Sequence, residues 1–249
     1  MLLENKTAII YGGGGTIGGA MARAFAAEGA RVFLAGRTPA TLDTVAARIR
    51  DAGGLVETAR VDALDADAVN GWVDSVAATA GSVDVSVNLI SHDALFSPMI
   101  EMPVDAFAAS MEKVARTFLI TTQAAARHMI KQGSGVVLHF GGSDSGNRMP
   151  GLGNAQIAFD MVEAMRRQWA AELGPHSVRV LSMRTGGVPE SFPDIPETAQ
   201  IKQQLVDATL LKRAATLTDV GRVAAFLASD HAASLTSTQV NISAGALVD

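Results

Sequence analysis

The sequence predicts a doubly wound, Rossmann-type α/β domain, with one seven-stranded parallel sheet flanked by helices. Three observations predict it. Short runs rich in Val and Ile alternate from end to end with longer stretches of helical periodicity, the pattern of βαβ units. Those runs are apolar almost continuously rather than on alternate residues, as strands buried on both faces are. A crowd of glycines, Gly12-Gly13-Gly14-Gly15, stands between the first run and the first helical stretch.

Each element has its own signal. The first run is 7–11 and the second 31–35, after which Thr38-Pro39 supplies an N-cap and a first-turn proline. Gly53 stops that helix before the third run, 56–61, and Gly81 stops the next before the fourth, 84–90. The fifth run is 136–140; a long helix closes at Gly174-Pro175 ahead of the sixth, 178–183. Residues 184–196, with three prolines and three Gly or Ser, form the longest irregular stretch, about the size of an active-site lid. Thr218-Asp219 opens a helix over 220–229, and 239–242 is the seventh run. No repeat or linker divides the chain, so a single domain over 1–249 is expected.

Composition narrows the function. With 249 residues, 48% hydrophobic and 18% charged, the chain reads as a globular protein with a sizeable core. No apolar run approaches the roughly 20 residues that cross a bilayer, and the start, with Glu4, has no leader pattern. A cytoplasmic location is expected. The absence of cysteine excludes thiolate nucleophiles, Cys-ligated metal and disulfides, and the five histidines show no metal-ligand spacing. A net charge of -5 argues against nucleic acid or anionic membrane as partners, so any bound phosphate must be held locally.

The glycine turn is built for that. Gly13, Gly15 and Gly18 match Gly-x-Gly-x-x-Gly between a strand and a helix, where backbone N–H groups cradle a diphosphate at the helix start. The missing Gly-Lys-Ser/Thr disfavours a P-loop. At the end of the second run Gly36-Arg37 replaces the acidic residue that grips an NAD ribose, so Arg37 favours the 2′-phosphate of NADP, with NAD still possible. The alternative is a solvated arginine opening a helix.

With these segments in place the chain resembles the short-chain dehydrogenase/reductase family over essentially its whole length. The resemblance is carried by the glycine loop, Val61-Asp62, the stretch TTQAAARHM at 121–129, Leu211-Lys212-Arg213, Phe226-Leu227-Ala228-Ser229-Asp230 and Ser243-Ala244-Gly245. It implies hydride transfer between a nicotinamide nucleotide and a small molecule by a homo-oligomer, a tetramer or dimer. The family's Thr-Gly-x-x-x-Gly-x-Gly loop falls on Tyr11, Gly12, Thr16 and Gly18, so two positions differ while Gly15 remains available beside them. The resemblance implies cofactor contacts at Gly12, Gly14, Gly15, Thr16, Ile17, Gly18, Arg37, Asp62, Ala63, Asn88, Gly186 and Val188. Asp62 either faces the adenine or caps the helix that begins nearby. Asn88 matches the first residue of Asn-Asn-Ala-Gly, with Leu89, Ile90 and Ser91 in place of the rest, or it holds adjacent strands together. Thr185-Gly186 stands where the family has Pro-Gly, and Glu190 where it often has Thr near the diphosphate. A carboxylate there repels phosphate unless the loop carries it away.

The family's chemistry uses Asn, Ser, Tyr and Lys, with Tyr as the acid or base and Lys lowering its pKa. Here those positions are Lys113, Gly142, Ala155 and Phe159, with Ser143 one residue from the Ser position. No lysine lies between Lys131 and Lys202, and the one tyrosine, Tyr11, belongs to the first strand. Replacement candidates follow the fourth and fifth runs: His92 and Asp93, then Ser143, Asp144 and Ser145. A lone loop His or Asp is equally a turn former. His139, inside a strand, reads as structural, and Lys113 reads as a solvated charge or a contact for an anionic substrate. Leu95, Phe96, Met99, Met149, Phe192 and Phe159 are candidates for an apolar pocket enlarged at Gly142 and Ala155, suited to a bulky apolar substrate.

Three functions compete. One is an NADP-dependent oxidoreductase acting on an activated acceptor, an enone or iminium, that needs no Tyr/Lys acid. The second is a catalytically silent dinucleotide-binding subunit. The third is a non-redox isomerase or dehydratase using His92 or Asp144.

Overall fold

A computed structural model of the chain describes residues 1–90, 93, 95–141, 148 and 150–248. Seven strands form one parallel sheet: β1 (Thr7–Tyr11), β2 (Arg31–Gly36), β3 (Leu55–Arg60), β4 (Val85–Asn88), β5 (Gly135–Phe140), β6 (Val178–Arg184) and β7 (Gln239–Asn241). Their order is β3-β2-β1-β4-β5-β6-β7, every neighbouring pair parallel. The helices are α1 (Thr16–Ala27), α2 (Pro39–Asp51), α3 (Ala66–Ala80), α4 (Val104–Gln132), α5 (Gly153–Leu173), α6 (Pro196–Asp207) and α7 (Leu217–Ala228).

Strand pleating sorts the core into two layers. Ala8 and Ile10 of β1 point to the face covered by α1, α2 and α7, where Met21, Phe25 and Leu42 pack. Ile9 and Tyr11 point to the other, where Val69, Val73 and Met129 cover them from α3 and α4. Tyr11 thus faces away from α1: its ring meets Trp72 edge-on at 5.5 Å, and burial raises the pKa of its hydroxyl. Among the described residues that hydroxyl has no hydrogen-bond partner.

Several boundaries differ from expectation, each for a local reason. β4 is shorter than 84–90: the Leu89 N–H still donates to the Tyr11 carbonyl at 3.1 Å, but the next N–H, of Ile90, turns to the Asn88 side chain at 2.8 Å and the chain leaves the sheet. β3 is a sheet edge, and only Val56 of it is buried, instead of a run buried throughout. α7 begins at Leu217, not Val220, since Thr216 and Asp219 exchange side-chain-to-backbone hydrogen bonds in a capping box. The lid-like stretch contains a short 3-10 turn, Pro189–Ser191, and leads into α6, a helix with no buried residue.

Candidate functional site

The carboxyl ends of β1 and β4 lie side by side, Tyr11 opposite Asn88, and the chain leaves β1 for one face and β4 for the other. Such a switch point opens a crevice above the strand ends. Two connected hollows occupy it, of about 410 and 300 Å³, sharing Gly12, Gly15, Leu89 and Ile90 as walls.

The glycine loop forms the floor. Gly12 turns the chain at a φ of +78°, a left-handed conformation that suits glycine, and its N–H donates to the Ala35 carbonyl at 2.9 Å. Gly18, in the first turn of α1, lies so close to the Gly12 carbonyl that a Cβ would collide with it. Gly15 is the N-cap of α1 and brings no side chain to fill the helix start. Among the described residues, the N–H groups of Gly14, Thr16, Ile17 and Gly18 have no protein acceptor. Four outward donors at a helix start fit a diphosphate. Gly13 does a different job from the one its motif position suggests: its N–H turns to Ala35 at 3.3 Å and its Cα packs on Leu34.

The larger hollow runs from this loop over β2 and β3. Arg37, Asp62 and Ala63 line it, as do Thr38 and Thr41 at the start of α2. Arg37 is exposed and, among the described residues, has no ion-pair partner. Asp62 does not cap α3; Asp65 does, accepting from the Ala68 N–H at 3.0 Å, while Asp62 accepts from the Leu64 N–H at 3.1 Å within a turn. Asn88 is buried behind the crevice, not on its wall: it donates to Thr121 Oγ1 at 3.0 Å and so ties β4 to α4, rather than strand to strand.

The smaller hollow is apolar. Val114 and Phe118 of α4, Phe140 at the end of β5, and Ala158, Phe159 and Val162 of α5 line it. Thr16 and Ser191 are the hydroxyl side chains among its described walls. Ala155 lies buried near the start of α5, one turn before Phe159, whose ring packs against Gly141. Of the apolar set expected from sequence, Phe159 alone is among the described wall residues; Phe96 is 80% exposed and Met99 55% exposed. The spacing Val114/Phe118 and Ala158/Val162, four residues apart on helices, was the signal for the observed set.

The remaining expected residues fall around this crevice or outside the description. His92, Ser143 and Asp144 lie outside the described residues, as do Ser91, Gly142, Ser145 and Met149. Gly186 packs against Ala246, and Val188 is buried in the core under α7; neither is among the described wall residues. The Val188 carbonyl accepts from the Ser191 N–H at 2.9 Å and hydroxyl at 2.7 Å. Glu190 does not face the diphosphate floor: its carboxylate accepts the Leu217 N–H at 2.7 Å at the start of α7. His139 is fully buried between Thr122 and Phe118, and burial, then the Arg166 charge, pushes its pKa down to about 3.

Polar anchors that the sequence did not reveal hold the rim. Asn154, fully buried on α5, donates to the Asp93 carbonyl at 2.7 Å and accepts from the Leu95 N–H at 3.1 Å. Ser110 of α4 donates to the same Asp93 carbonyl at 3.2 Å. Lys113, which reads from sequence as a solvated charge, is only partly exposed and pairs with Asp93 at 2.6 Å on the wall of the larger hollow.

Sheet order and crevice define a doubly wound α/β protein with a phosphate-ready floor at its switch point. A family model described as enoyl-(acyl carrier protein) reductase matches residues 14–246. A 3-oxoacyl-(acyl-carrier-protein) reductase from Thermotoga maritima is 27% identical over 254 residues, covering 100% of both chains. A D-xylose 1-dehydrogenase from Caulobacter vibrioides is 30% identical over 245 residues, 98% of this chain and 96% of that one. The solved structure of a short-chain type dehydrogenase/reductase from Mycobacterium ulcerans superposes with a TM-score of 0.91 at 25% identity, covering 99% of this chain and 91% of that one. The chain belongs to the short-chain dehydrogenase/reductase family, a family of NAD(P)-dependent oxidoreductases. Among the described residues no helix is long and apolar enough to cross a membrane.

Proposed function

We propose that this chain is an NADP(H)-dependent oxidoreductase that reduces an activated small-molecule acceptor, an enone or an iminium, without the family's Tyr/Lys acid. One observation carries the reading. A hollow rimmed by Arg37 shares the glycine loop with an apolar hollow whose described walls offer, as O–H groups, only Thr16 and Ser191. An aliphatic hydroxyl is a poor general acid at neutral pH, because its pKa lies far above the operating range. The chemistry a bound NADPH supplies is a hydride.

The chain's own residues do the rest. The N–H groups of Gly14, Thr16, Ile17 and Gly18 hold the diphosphate, Arg37 takes the 2′-phosphate, and Val114, Phe118 and Phe159 exclude water around a bulky apolar acceptor. An ordinary ketone develops alkoxide charge on reduction and loses the roughly 10²–10⁴-fold help of a positioned acid. An iminium carbon has its positive charge cancelled by hydride, and an enone can take its proton from water, so neither needs that help.

Stereospecific transfer of deuterium from labelled NADPH to one member of an enone and iminium panel is the expected result. NADPH binding with no turnover across the panel defeats the reading. It would then favour a silent dinucleotide-binding subunit, which Ala155 and Phe159 at the family's Tyr and Lys positions also suit. Product without nucleotide oxidation would instead indicate an isomerase or dehydratase. The reading also takes a cytoplasmic location and a homo-oligomer, the latter supported by exposed Leu119 and Ile130 on α4 and Phe226 on α7; light scattering at one protomer mass counts against the oligomer.

A further inference from the structure

We propose that a hollow between α1 and α7 binds an amphipathic monocarboxylate, its apolar chain on the floor and its carboxylate on Arg23 and Arg222. The site is separate from the switch-point crevice and does not depend on the nucleotide reading above. Its first ground is shape. A hollow of about 340 Å³ opens between the two helices, with Leu2, Ala20, Ala24, Leu217, Gly221 and Ala225 among its walls. Gly221 lets the helices approach so closely that a Cβ there would lie 2.9 Å from Ala24 Cβ and 3.1 Å from the Ala20 carbonyl oxygen. Among the described residues, this hollow shares no wall residue with the two hollows of the crevice.

The second ground is charge. Arg23 and Arg222 belong to the same walls, and among the described residues neither has an ion-pair partner. Glycine at position 19 leaves room for the Arg23 guanidinium, whose Nη1 would lie 3.3 Å from a Cβ there. Burial, then the charge of Arg48 on α2, lowers the Arg23 pKa, so like charges are gathered here at a cost. A chain with 25 acidic residues against 20 basic ones has carboxylates to spare, yet places none on these two guanidiniums. A bound carboxylate offsets that repulsion and suits the planar fork of arginine. The third ground is the opposite sign nearby. Glu28, also in the wall, accepts the Leu2 N–H at 2.8 Å and pairs with neither arginine. Its carboxylate repels a second negative charge on the ligand. Apolar walls give a bare ion nothing but stabilise a hydrocarbon chain, so the hollow selects one carboxylate on an apolar tail.

The test is a calorimetric titration of the full chain with three probes, octanoate, octanol and inorganic phosphate, the fold of each variant being checked by circular dichroism. Octanoate should bind about tenfold or more tightly than either other probe, since it alone offers both the charge and the chain. Arg23→Gln and Arg222→Gln should each weaken octanoate about tenfold, as loss of a charged hydrogen bond does, and leave octanol unchanged. Ala27→Phe, at an exposed edge of the hollow, should block octanoate. Absence of octanoate binding overturns the inference, and so does unchanged octanoate affinity in both arginine variants, which would move the ligand elsewhere, the crevice included. Phosphate binding as tightly as octanoate would reduce the site to a plain anion contact, and octanol binding as tightly would reduce it to an apolar groove; either result also overturns it. Should Arg23→Gln not fold, Arg222→Gln, exposed on α7, carries the same expectations.

Discussion

The Glu190 carboxylate accepts the backbone N–H of Leu217 at 2.7 Å, at the first turn of α7. A residue that sequence places beside a diphosphate is thereby committed to a helix start, where negative charge is favoured. Thr216 and Asp219 satisfy two further N–H groups of the same turn. Glu190→Ala should lower stability by about 1 kcal/mol, the scale of one such bond, read as a lower urea midpoint at constant m. No change in midpoint would mean the contact contributes nothing in solution.

Arg37 lies exposed on the rim with no ion-pair partner among the described residues. Arg37→Ala should weaken NADPH about 10–100-fold and leave NADH nearly unchanged, since only NADPH carries the 2′-phosphate. Equal loss for both nucleotides in a fluorescence titration would remove the 2′-phosphate role.

Gly18 has no room for a side chain against the Gly12 carbonyl. Gly18→Ala must push the α1 start away from the β1 turn and misalign the four free donors. Binding of both nucleotides should drop together, with a stability loss of about 1–3 kcal/mol from overpacking. Wild-type affinity in this variant would mean the loop does not form the nucleotide floor.

His139 stays neutral in the fold down to about pH 3, because burial disfavours its charged form, whereas an unfolded chain takes the proton near pH 6.5. Between those values the unfolded state binds more protons, so stability falls as pH drops, by at most about 1.4 kcal/mol per pH unit from this group. His139→Gln should be less stable than the parent at pH 7 yet lose less between pH 6.5 and 5. Parallel pH profiles would contradict this.

Glu163 and Arg166, both buried on α5, pair at 2.9 Å, and Glu163 also accepts from Ser182 of β6. Arg166→Met leaves a buried carboxylate short of its cation and should cost about 3–5 kcal/mol. Glu163→Leu combined with Arg166→Met should restore most of that. A double variant as unstable as the single one would show that lost packing, not unpaired charge, sets the loss.

The sheet and the glycine floor were legible because they depend on local signals: apolar runs, punctuating Gly and Pro, and glycines at fixed offsets. The rim was not. Asn154 and Ser110 meet at the Asp93 carbonyl across 61 and 17 residues of chain, and no local pattern encodes such a meeting. Lys113 looked solvated for the same reason, its partner being 20 residues away. Glu190 could be placed only once the start of α7 was known, and Thr218-Asp219 misplaced that start because Asp219 is the reciprocal partner in the cap rather than the cap itself. Of the apolar walls Phe159 was foreseen; the other choices were loop residues, whereas the helix faces of α4 and α5 carried the spacing.

The contact between Tyr11 and Trp72 has a spectroscopic consequence. Tyr11, Trp72 and Trp169 all belong to the layer of α3, α4 and α5, and the chain has no other tyrosine or tryptophan. Intrinsic emission therefore watches one side of the sheet while far-ultraviolet dichroism watches both. If the side of α1 and α2 melts first, ellipticity will fall before the indole signal moves.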